Sequence, residues 1–175
     1  MTLASIVIPV FRDGARAVEA VRAIQAQVLP EGTTLEILVV DDCAGDDTLA
    51  HLQTIEGDRA RVIALPKNLG RSGARNTGAA QARGESIVFM DCDCVPTDPD
   101  FIATHLRALA DAVASTGRVI GADEGFWSRY QGDASQRRKR QHADGLAYSG
   151  SSQNLAVRAE AFRAIGGFDT GYKQY

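Results

Sequence analysis

The chain has 175 residues, of which 45% are hydrophobic and 23% charged, which fits one globular domain with a sizeable core. Its formal net charge of -3 excludes the strongly basic balance typical of nucleic-acid-binding proteins. The cysteines, Cys43, Cys92 and Cys94, are odd in number and lie among acidic residues, which favours reduced thiols in a cytoplasmic protein. No apolar run reaches membrane-spanning length, and the first residues lack the basic and apolar regions of a signal peptide.

The first part of the chain alternates between strand and helix patterns. Continuous apolar segments predict three strands, at 5–10, 35–40 and 61–65. Between the first two, apolar residues at helical spacing predict a helix whose apolar face is formed by Val18, Val21, Ile24 and Val28. Between the second and third, a shorter helix is predicted from Leu49, Leu52 and Ile55.

The same alternation continues through the middle of the chain. Ser72 is predicted to cap a helix that stops at Gly84, and a fourth strand follows at 87–90. Asp98 and Pro99 predict the start of another helix, because a capping residue is followed by proline at the first helical position. Its buried face is expected to contain Ile102, Leu106, Leu109 and Val113. The pattern predicts an α/β fold with a mostly parallel sheet and helices on both faces.

Acidic residues follow three of the predicted strands. Asp91 and Asp93 end the fourth strand, Asp42 ends the second, and Asp13 lies shortly after the first. The carboxyl ends of parallel strands open on one edge of the sheet, where ligands bind in open α/β folds. Two carboxylates spaced i, i+2 repel each other unless a cation lies between them, and Mg²⁺ or Mn²⁺ suits oxygen ligands. The alternative is a pair of solvated aspartates at a strand end.

The glycine-containing segment from residue 68 and the pair of Cys92 and Cys94 are further candidates for a ligand or metal site. The segment 68–70 predicts a turn in which Gly70 takes a positive φ, with a ligand contact as the alternative. The glycines that follow do not have the spacing of a dinucleotide-binding loop. Cys92 and Cys94 are a candidate pair for a soft metal, but no histidine or second cysteine pair lies at ligand spacing.

Five segments carry a shared pattern in sequence order: 5–11, 37–42 with 46–48, 68–70 with 73–76, 89–93, and 154–158 with 162 and 166–169. Together they resemble family 2 glycosyltransferases of the GT-A fold, and the resemblance covers essentially the whole chain. It implies a Rossmann-like, mostly parallel sheet that binds a nucleotide-sugar donor. It also implies a transferase that acts in cell-envelope or polysaccharide synthesis.

The resemblance assigns roles at the nucleoside end of the donor. Pro9 and Phe11 match positions that shape the nucleobase pocket, and Asp13 matches an acid that often faces the nucleoside. Asp42 matches the acid that hydrogen-bonds the base, which suits a carboxylate because it can accept from the imide N–H of uracil.

A second group of matches concerns the diphosphate. Arg75, expected in the first turn of its helix, matches a position that contacts the base or phosphate. Asp91 matches the acid on the ribose and metal side. Asp93 matches the ligand of a Mg²⁺ or Mn²⁺ ion that holds the diphosphate and assists its departure.

The resemblance also divides the chain into two halves. Residues 1–115 correspond to the nucleotide-sugar-binding half and residues 116–175 to the start of the acceptor-side half of one catalytic domain. Family members mostly invert the anomeric centre, with a general base from a Glu-Asp pair that follows the segment matching 166–169. No such pair occurs before Tyr175, so we expect the base to lie beyond it and this chain alone to transfer sugar poorly.

The implied partners are small molecules and glycans. The donor is expected to be a nucleotide-diphosphate sugar, with a UDP-sugar first, and the acceptor a glycan, a lipid-linked intermediate or a small molecule. The basic run 137–140 is either a solvated surface or a contact to acceptor phosphate or an anionic membrane surface. We expect a cytoplasmic location, with the inner face of the membrane as one option, and no nucleic-acid partner.

Two other functions remain open. A non-catalytic nucleotide-sugar-binding module or degenerate homologue would explain the missing base, although such a chain has no need to keep Asp42, Asp91 and Asp93. A nucleotidyltransferase is less favoured, because the glycine-rich phosphate loop expected after the first strand is replaced by residues 9–13.

Overall fold

A computed structural model of the chain describes residues 2–55, 57, 59–121, 125–145 and 150–171. The strands are β1 (Thr2–Val10), β2 (Thr33–Asp41), β3 (Ala60–Ala64), β4 (Ser86–Met90), β5 (Ala114–Thr116) and β6 (Asn154–Arg158). The helices are α1 (Gly14–Gln25), α2 (Thr48–Gln53), α3 (Gly70–Gln81), α4 (Phe101–Asp111), α5 (Phe126–Ala143) and α6 (Ala159–Ala164).

The strands form one sheet in the order β3-β2-β1-β4-β6-β5. The first four strands pair in parallel, whereas β6 is antiparallel to both β4 and β5. This confirms the predicted α/β fold with a mostly parallel sheet. Pro9 lies beyond Val7, the last residue of β1 that pairs with β4, so its missing N–H removes no bond to that neighbour.

Alternation along β1 sends successive side chains into two separate cores. Ile6 and Ile8 pack with α1, α2 and α4 on one face of the sheet, and Val7 packs with α3 and α6 on the other. All three side chains are fully buried, and full burial of such a side chain stabilises the fold by about 1.5–3 kcal/mol. The helices therefore cover both faces, as predicted.

Two helix ends of the first face differ from the prediction. Helix α1 ends at Gln25, so Val28 lies in the loop that follows. There the Val28 N–H bonds to the Pro99 carbonyl, and the residue is 63% exposed. Helix α4 begins at Phe101, so Asp98 and Pro99 lie before it. Val113 follows its end and is 61% exposed, whereas Ile102 and Leu109 are buried as expected.

The predicted ends of α3 are also wrong. The helix begins at Gly70, where φ is +73°, and the Asn68 side chain accepts the Gly70 N–H, so Ser72 lies inside the helix rather than at its cap. It ends at Gln81, before Gly84. Gly84 is needed for a different reason, because a Cβ there would lie 2.7 Å from the Leu3 carbonyl oxygen.

Helix α5 carries the basic run 137–140, in which Arg137, Lys139 and Arg140 are exposed. The start of the helix also carries the exposed aromatic residues Phe126 and Tyr130, so its described surface is both cationic and aromatic. None of the helices in the described ranges is long and apolar enough to cross a membrane.

Candidate functional site

The predicted acidic residues converge at the carboxyl ends of β1, β2 and β4, which we call the acidic edge. Val10 at the end of β1 pairs with Asp41 at the end of β2, so these strands finish side by side. Burial raises the pKa of the Cys92 thiol to about 12, and the charges of Asp93, Asp13 and Asp91 add to this rise. Carboxylates that follow different strands therefore act on one thiol, as their common edge predicts.

Asp42 is buried at the end of β2 in a fixed orientation. Its Oδ1 accepts a hydrogen bond from the Leu69 N–H at 2.7 Å, and its backbone carbonyl accepts one from Asn68 Nδ2 at 3.1 Å. Burial raises the pKa of the Asp42 carboxyl, the charge of Asp41 adds to this, and hydrogen bonds from Leu69 and Gly70 partly offset it. A carboxylate whose pKa is raised in this way is a strong hydrogen-bond acceptor.

Residues 68–70 form the predicted turn. Asn68 Oδ1 accepts the Gly70 N–H at 3.1 Å, and Gly70 has the positive φ that its position requires. The Leu69 and Gly70 N–H groups at the start of α3 are bonded to Asp42 and Asn68. These two N–H groups therefore stabilise the turn and orient the Asp42 side chain.

Arg75 and Asp91 form a buried ion pair between α3 and the end of β4. Arg75 Nη2 donates to Asp91 Oδ1, and the side chains are 4% and 18% exposed. Arg75 Nη1 also donates to the Arg71 carbonyl at 3.4 Å. Burial lowers the pKa of Arg75, while the charge of Asp91 and its hydrogen bond oppose this. The sequence pattern Asp91-Cys92-Asp93 suggested a cation between the two carboxylates. For Asp91, that cation is the guanidinium of Arg75.

The position of Arg75 differs from the sequence prediction. It is the sixth residue of α3 and so lies in the second turn, not the first. Its Nε is buried and, within the described structure, has no hydrogen-bond partner. A buried guanidinium N–H without a partner costs free energy, so an anionic or carbonyl ligand close to Arg75 would be favoured.

Asp93 is the predicted residue best placed to hold a metal ion. It is exposed, and its Oδ1 accepts a weak bond from Cys94 Sγ at 3.7 Å. Within the described ranges, no group of three or more His, Cys, Asp or Glu residues could hold a metal ion. A divalent ion at Asp93 would therefore complete its coordination with water and diphosphate oxygens, which is usual for Mg²⁺.

The two nearby cysteines do not suit a soft metal. Burial, together with the charges of neighbouring carboxylates, raises the pKa of both Cys92 and Cys94 to about 12. Both thiols are thus protonated at neutral pH, whereas metals bind the thiolate. The oxygen donor set of Asp93 fits Mg²⁺ or Mn²⁺ better than it fits zinc.

The aromatic and acidic residues after β1 lie at the rim of the acidic edge. Phe11 is 46% exposed, and the Arg12 guanidinium lies 5.0 Å above its ring. Asp13 precedes α1 and pairs with Arg16 at 3.6 Å. Arg12, which the sequence did not single out, has a φ of +59° and donates to the Ala44 carbonyl at 3.4 Å, so it joins this rim to the loop after β2.

A cavity of about 950 Å³ adjoins Asp93 on the side of α4. Its polar wall includes Thr104, Thr116, Arg118 and Asn154. The lining thus offers hydroxyl, amide and charged groups beside apolar residues such as Val95 and Phe101, which suits a hydroxylated ligand larger than water. The sequence did not predict this cavity, because its residues come from four separate segments.

His105 and Asn154 brace the wall of this cavity. His105 is 4% exposed, and its Nε2 lies 2.7 Å from Asn154 Oδ1 while its Nδ1 lies 3.0 Å from Ser115 Oγ. Asn154 Nδ2 donates to the Arg118 carbonyl at 3.2 Å. Both ring nitrogens of the buried His105 thus have hydrogen-bond partners within the fold.

Comparisons with known protein families and sequences show the family of the chain. A family model described as "Glycosyl transferase family 2" matches residues 5–166. The succinoglycan biosynthesis protein ExoO of Rhizobium meliloti is 41% identical over 103 residues, which cover 59% of this chain and 28% of that protein. The undecaprenyl-phosphate 4-deoxy-4-formamido-L-arabinose transferase of Pseudomonas aeruginosa is 36% identical over 132 residues, 73% of this chain and 39% of that protein. The chain thus spans less than half the length of either relative.

Solved structures share the fold. The mannosyltransferase PcManGT from Pyrobaculum calidifontis, in complex with GDP-Man and Mn²⁺, matches 95% of this chain and 47% of its own with a TM-score of 0.74 and 21% identity. S. aureus TarS 1-349 in complex with UDP-GlcNAc matches 95% of this chain and 48% of its own with a TM-score of 0.66 and 20% identity. At these identities the likeness establishes the fold, which is GT-A.

Proposed function

The chain belongs to glycosyl transferase family 2, and we propose that it binds a nucleoside-diphosphate sugar with a divalent metal ion at the acidic edge. The observation that carries the proposal is the convergence of Asp42, the Arg75–Asp91 pair and Asp93 at one edge of the sheet. The chain would contribute this donor site to the transfer of the sugar to a hydroxyl group.

In this proposal the nucleoside lies at the ends of β1 and β2. Asp42 is fixed by the Leu69 N–H, and its raised pKa strengthens it as an acceptor for the N3–H of a uracil ring. Pro9, half-buried, and Phe11, half-exposed, supply an apolar surface beside it, and Asp13 faces the same region. Uracil is therefore our first choice of base.

The diphosphate lies over the end of β4. Asp93 would hold Mg²⁺ or Mn²⁺, and the bound ion would supply Lewis-acid stabilisation of the departing nucleoside diphosphate. Arg75 offsets the negative charge of Asp91, which reduces repulsion of the phosphates at this edge. The unpartnered Nε of Arg75 supports a phosphate or base contact by the same guanidinium.

The sugar and its acceptor occupy the cavity next to Asp93. Residues 1–115 form the donor-binding half, and 116–175 begin the acceptor-side half, from which Arg118 and Asn154 line that cavity. An inverting mechanism, which most members of the family use, requires a general base that removes the proton of the acceptor hydroxyl. Because the named relatives include an undecaprenyl-phosphate transferase, we propose a lipid-linked or polysaccharide acceptor, with residues 137–140 facing its phosphate or an anionic membrane surface at the inner leaflet.

A nucleotide panel tests this proposal. Wild-type protein and an Asp42→Asn variant are titrated by calorimetry with UDP, GDP and dTDP in the presence of Mn²⁺. We expect UDP to bind most tightly and the variant to lose about tenfold in UDP affinity, since the asparagine amide presents a donor to the base. Failure of all three nucleotides to bind the folded wild-type protein would contradict the proposal.

A further inference from the structure

The side-chain amide of Asn76 forms two hydrogen bonds with the backbone of Phe168. Its Nδ2 donates to the Phe168 carbonyl at 2.8 Å, and its Oδ1 accepts the Phe168 N–H at 2.9 Å. The two residues are 92 positions apart, so this pair of bonds joins α3 to the segment that follows α6. We call this pair of hydrogen bonds the amide clamp.

The clamp requires glycine at position 167. Gly167 has a φ of +83°, and a Cβ there would lie 2.7 Å from Asn76 Oδ1. Its neighbour Gly166 has a nearly equal φ of +81°, but a Cβ there would meet nothing within 4 Å. Both glycines therefore have a left-handed backbone conformation, but only at Gly167 would a Cβ also collide with Asn76 of the clamp.

The clamp fixes the Phe168 ring, which contacts two neighbours of Asp91, namely Phe89 and Arg75. The Phe168 ring lies 5.0 Å from that of Phe89, which is two residues before Asp91 in the chain. The guanidinium of Arg75 lies 5.9 Å from the centre of the Phe168 ring, and Arg75 in turn donates to Asp91. The ring thus contacts both the strand that leads into Asp91 and the cation that holds it.

We propose that Asn76 is a positioning residue for Asp91 and acts through Phe168 and Arg75. The buried guanidinium is held by hydrogen bonds at its Nη atoms and by the Phe168 ring beside it, and the described structure shows no bond at Nε that would also hold it. Release of Phe168 would free Arg75 to turn and would leave Asp91 without a fixed partner at the acidic edge. The consequence for donor binding rests on the proposed function.

Two variants break the clamp by independent routes, and a third is their control. Asn76→Asp keeps the side-chain shape but replaces the donor to the Phe168 carbonyl with an oxygen. Gly167→Ala leaves Asn76 intact but places a Cβ against its Oδ1. Gly166→Ala imposes the same left-handed backbone strain without touching Asn76, so it separates loss of stability from loss of the clamp.

The first measurement follows the Nε–H of Arg75 by NMR in protein labelled with ¹⁵N-arginine, with Arg75→Lys as the assignment control. Asn76→Asp and Gly167→Ala should shift this resonance and speed its exchange with water by about tenfold, because Arg75 is no longer fixed. Gly166→Ala should leave both unchanged. An unchanged resonance and exchange rate in the two clamp variants would overturn the proposal, and neither result requires a bound nucleotide.

The second measurement is the affinity for UDP with Mn²⁺ by calorimetry, below the melting temperature of every variant. The clamp variants should bind about tenfold more weakly and Gly166→Ala as well as wild type, as expected for residues that orient a ligand-binding group. A shifted Arg75 resonance with unchanged affinity would also overturn the proposal. If wild-type protein binds no nucleoside diphosphate, the proposed function fails, and the NMR result alone decides whether the clamp positions Arg75.

Discussion

The imidazole of His105 on α4 hydrogen-bonds the Asn154 side chain at the start of β6, with His105 Nε2 and Asn154 Oδ1 2.7 Å apart. Since the amide oxygen can only accept, Nε2 carries the proton and Nδ1 accepts from the Ser115 hydroxyl. Asn154 pairs with Met90, the last residue of β4. The neutral histidine thus stabilises the part of the sheet that leads into Asp91 and Asp93.

His105 should make the fold less stable in weak acid. Burial lowers its pKa, and the hydrogen bond with Asn154 offsets this only in part. The unfolded chain, with an ordinary histidine pKa of about 6.5, therefore takes up a proton first as the pH falls. This contribution to stability is fully present above about pH 6.5 and is lost progressively below it.

Urea unfolding at pH 7.5 and pH 5.5 checks this expectation. The decrease in the free energy of unfolding between the two pH values should be smaller in His105→Gln than in wild type. His51→Gln is the matched control because His51 is exposed on α2, and it should retain the wild-type decrease. Equal decreases in His105→Gln and wild type would show that His105 does not contribute.

Gly78 in α3 should not tolerate even a methyl group. A Cβ at this position would lie 2.5 Å from Val7 Cγ1 and 3.1 Å from Val40 Cγ2, both on buried residues of the sheet. Gly78→Ala should therefore destabilise the protein by about 1–3 kcal/mol through overpacking, despite the better helix propensity of alanine.

The control for this prediction is Gly132 in α5, where a Cβ would meet nothing within 4 Å. Gly132→Ala should raise stability by about 0.5–1 kcal/mol from helix propensity alone. Thermal unfolding of the two variants beside wild type measures both effects. A Gly78→Ala protein as stable as wild type would mean that α3 can move away from the sheet without cost.

The sequence predicted the architecture because apolar runs and helical spacing are local signals. β1, β2 and β4 follow directly from them, as do Val21 and Ile24 on the buried face of α1. Parallel pairing then brings the acidic residues that follow β2 and β4 to one edge. The errors came where tertiary contacts override local preference. Ser72 looked like a cap, but α3 begins two residues earlier at Gly70, whose N–H is accepted by Asn68. Gly84 allows close packing against β1 and does not end the helix.

The charge pattern of the site was predicted less completely. The pair Asp91 and Asp93 suggested one metal ion between two carboxylates, but Arg75 neutralises Asp91 from another element. Such a pairing depends on where α3 lies over the sheet, which no spacing in the sequence encodes. The contact between Asn76 and Phe168 is hidden for the same reason, since its partners lie 92 residues apart.

Cys43 offers a chemical probe of the nucleoside pocket. It is exposed and directly follows Asp42, whereas Cys92 and Cys94 are partly buried. If a uracil ring binds at Asp42, saturating UDP and Mn²⁺ should slow alkylation of Cys43 by iodoacetamide several-fold, as measured by mass spectrometry of the cysteine peptide. ADP at the same concentration is the control nucleotide. Protection by ADP equal to that by UDP would argue against a pocket that selects the base.

In our proposal, Asp93 holds the metal ion through which this chain binds a nucleoside diphosphate. Calorimetric titration of UDP into wild type, Asp93→Ala and Asp98→Ala, with Mn²⁺ or with EDTA, tests it directly. Asp98 is the matched control because it is another exposed carboxylate that lines the same cavity. We expect Mn²⁺-dependent binding in wild type and Asp98→Ala, and a loss of UDP affinity of at least about tenfold in Asp93→Ala. Equal UDP affinity in wild type with and without Mn²⁺, or an unchanged affinity in Asp93→Ala, would contradict it.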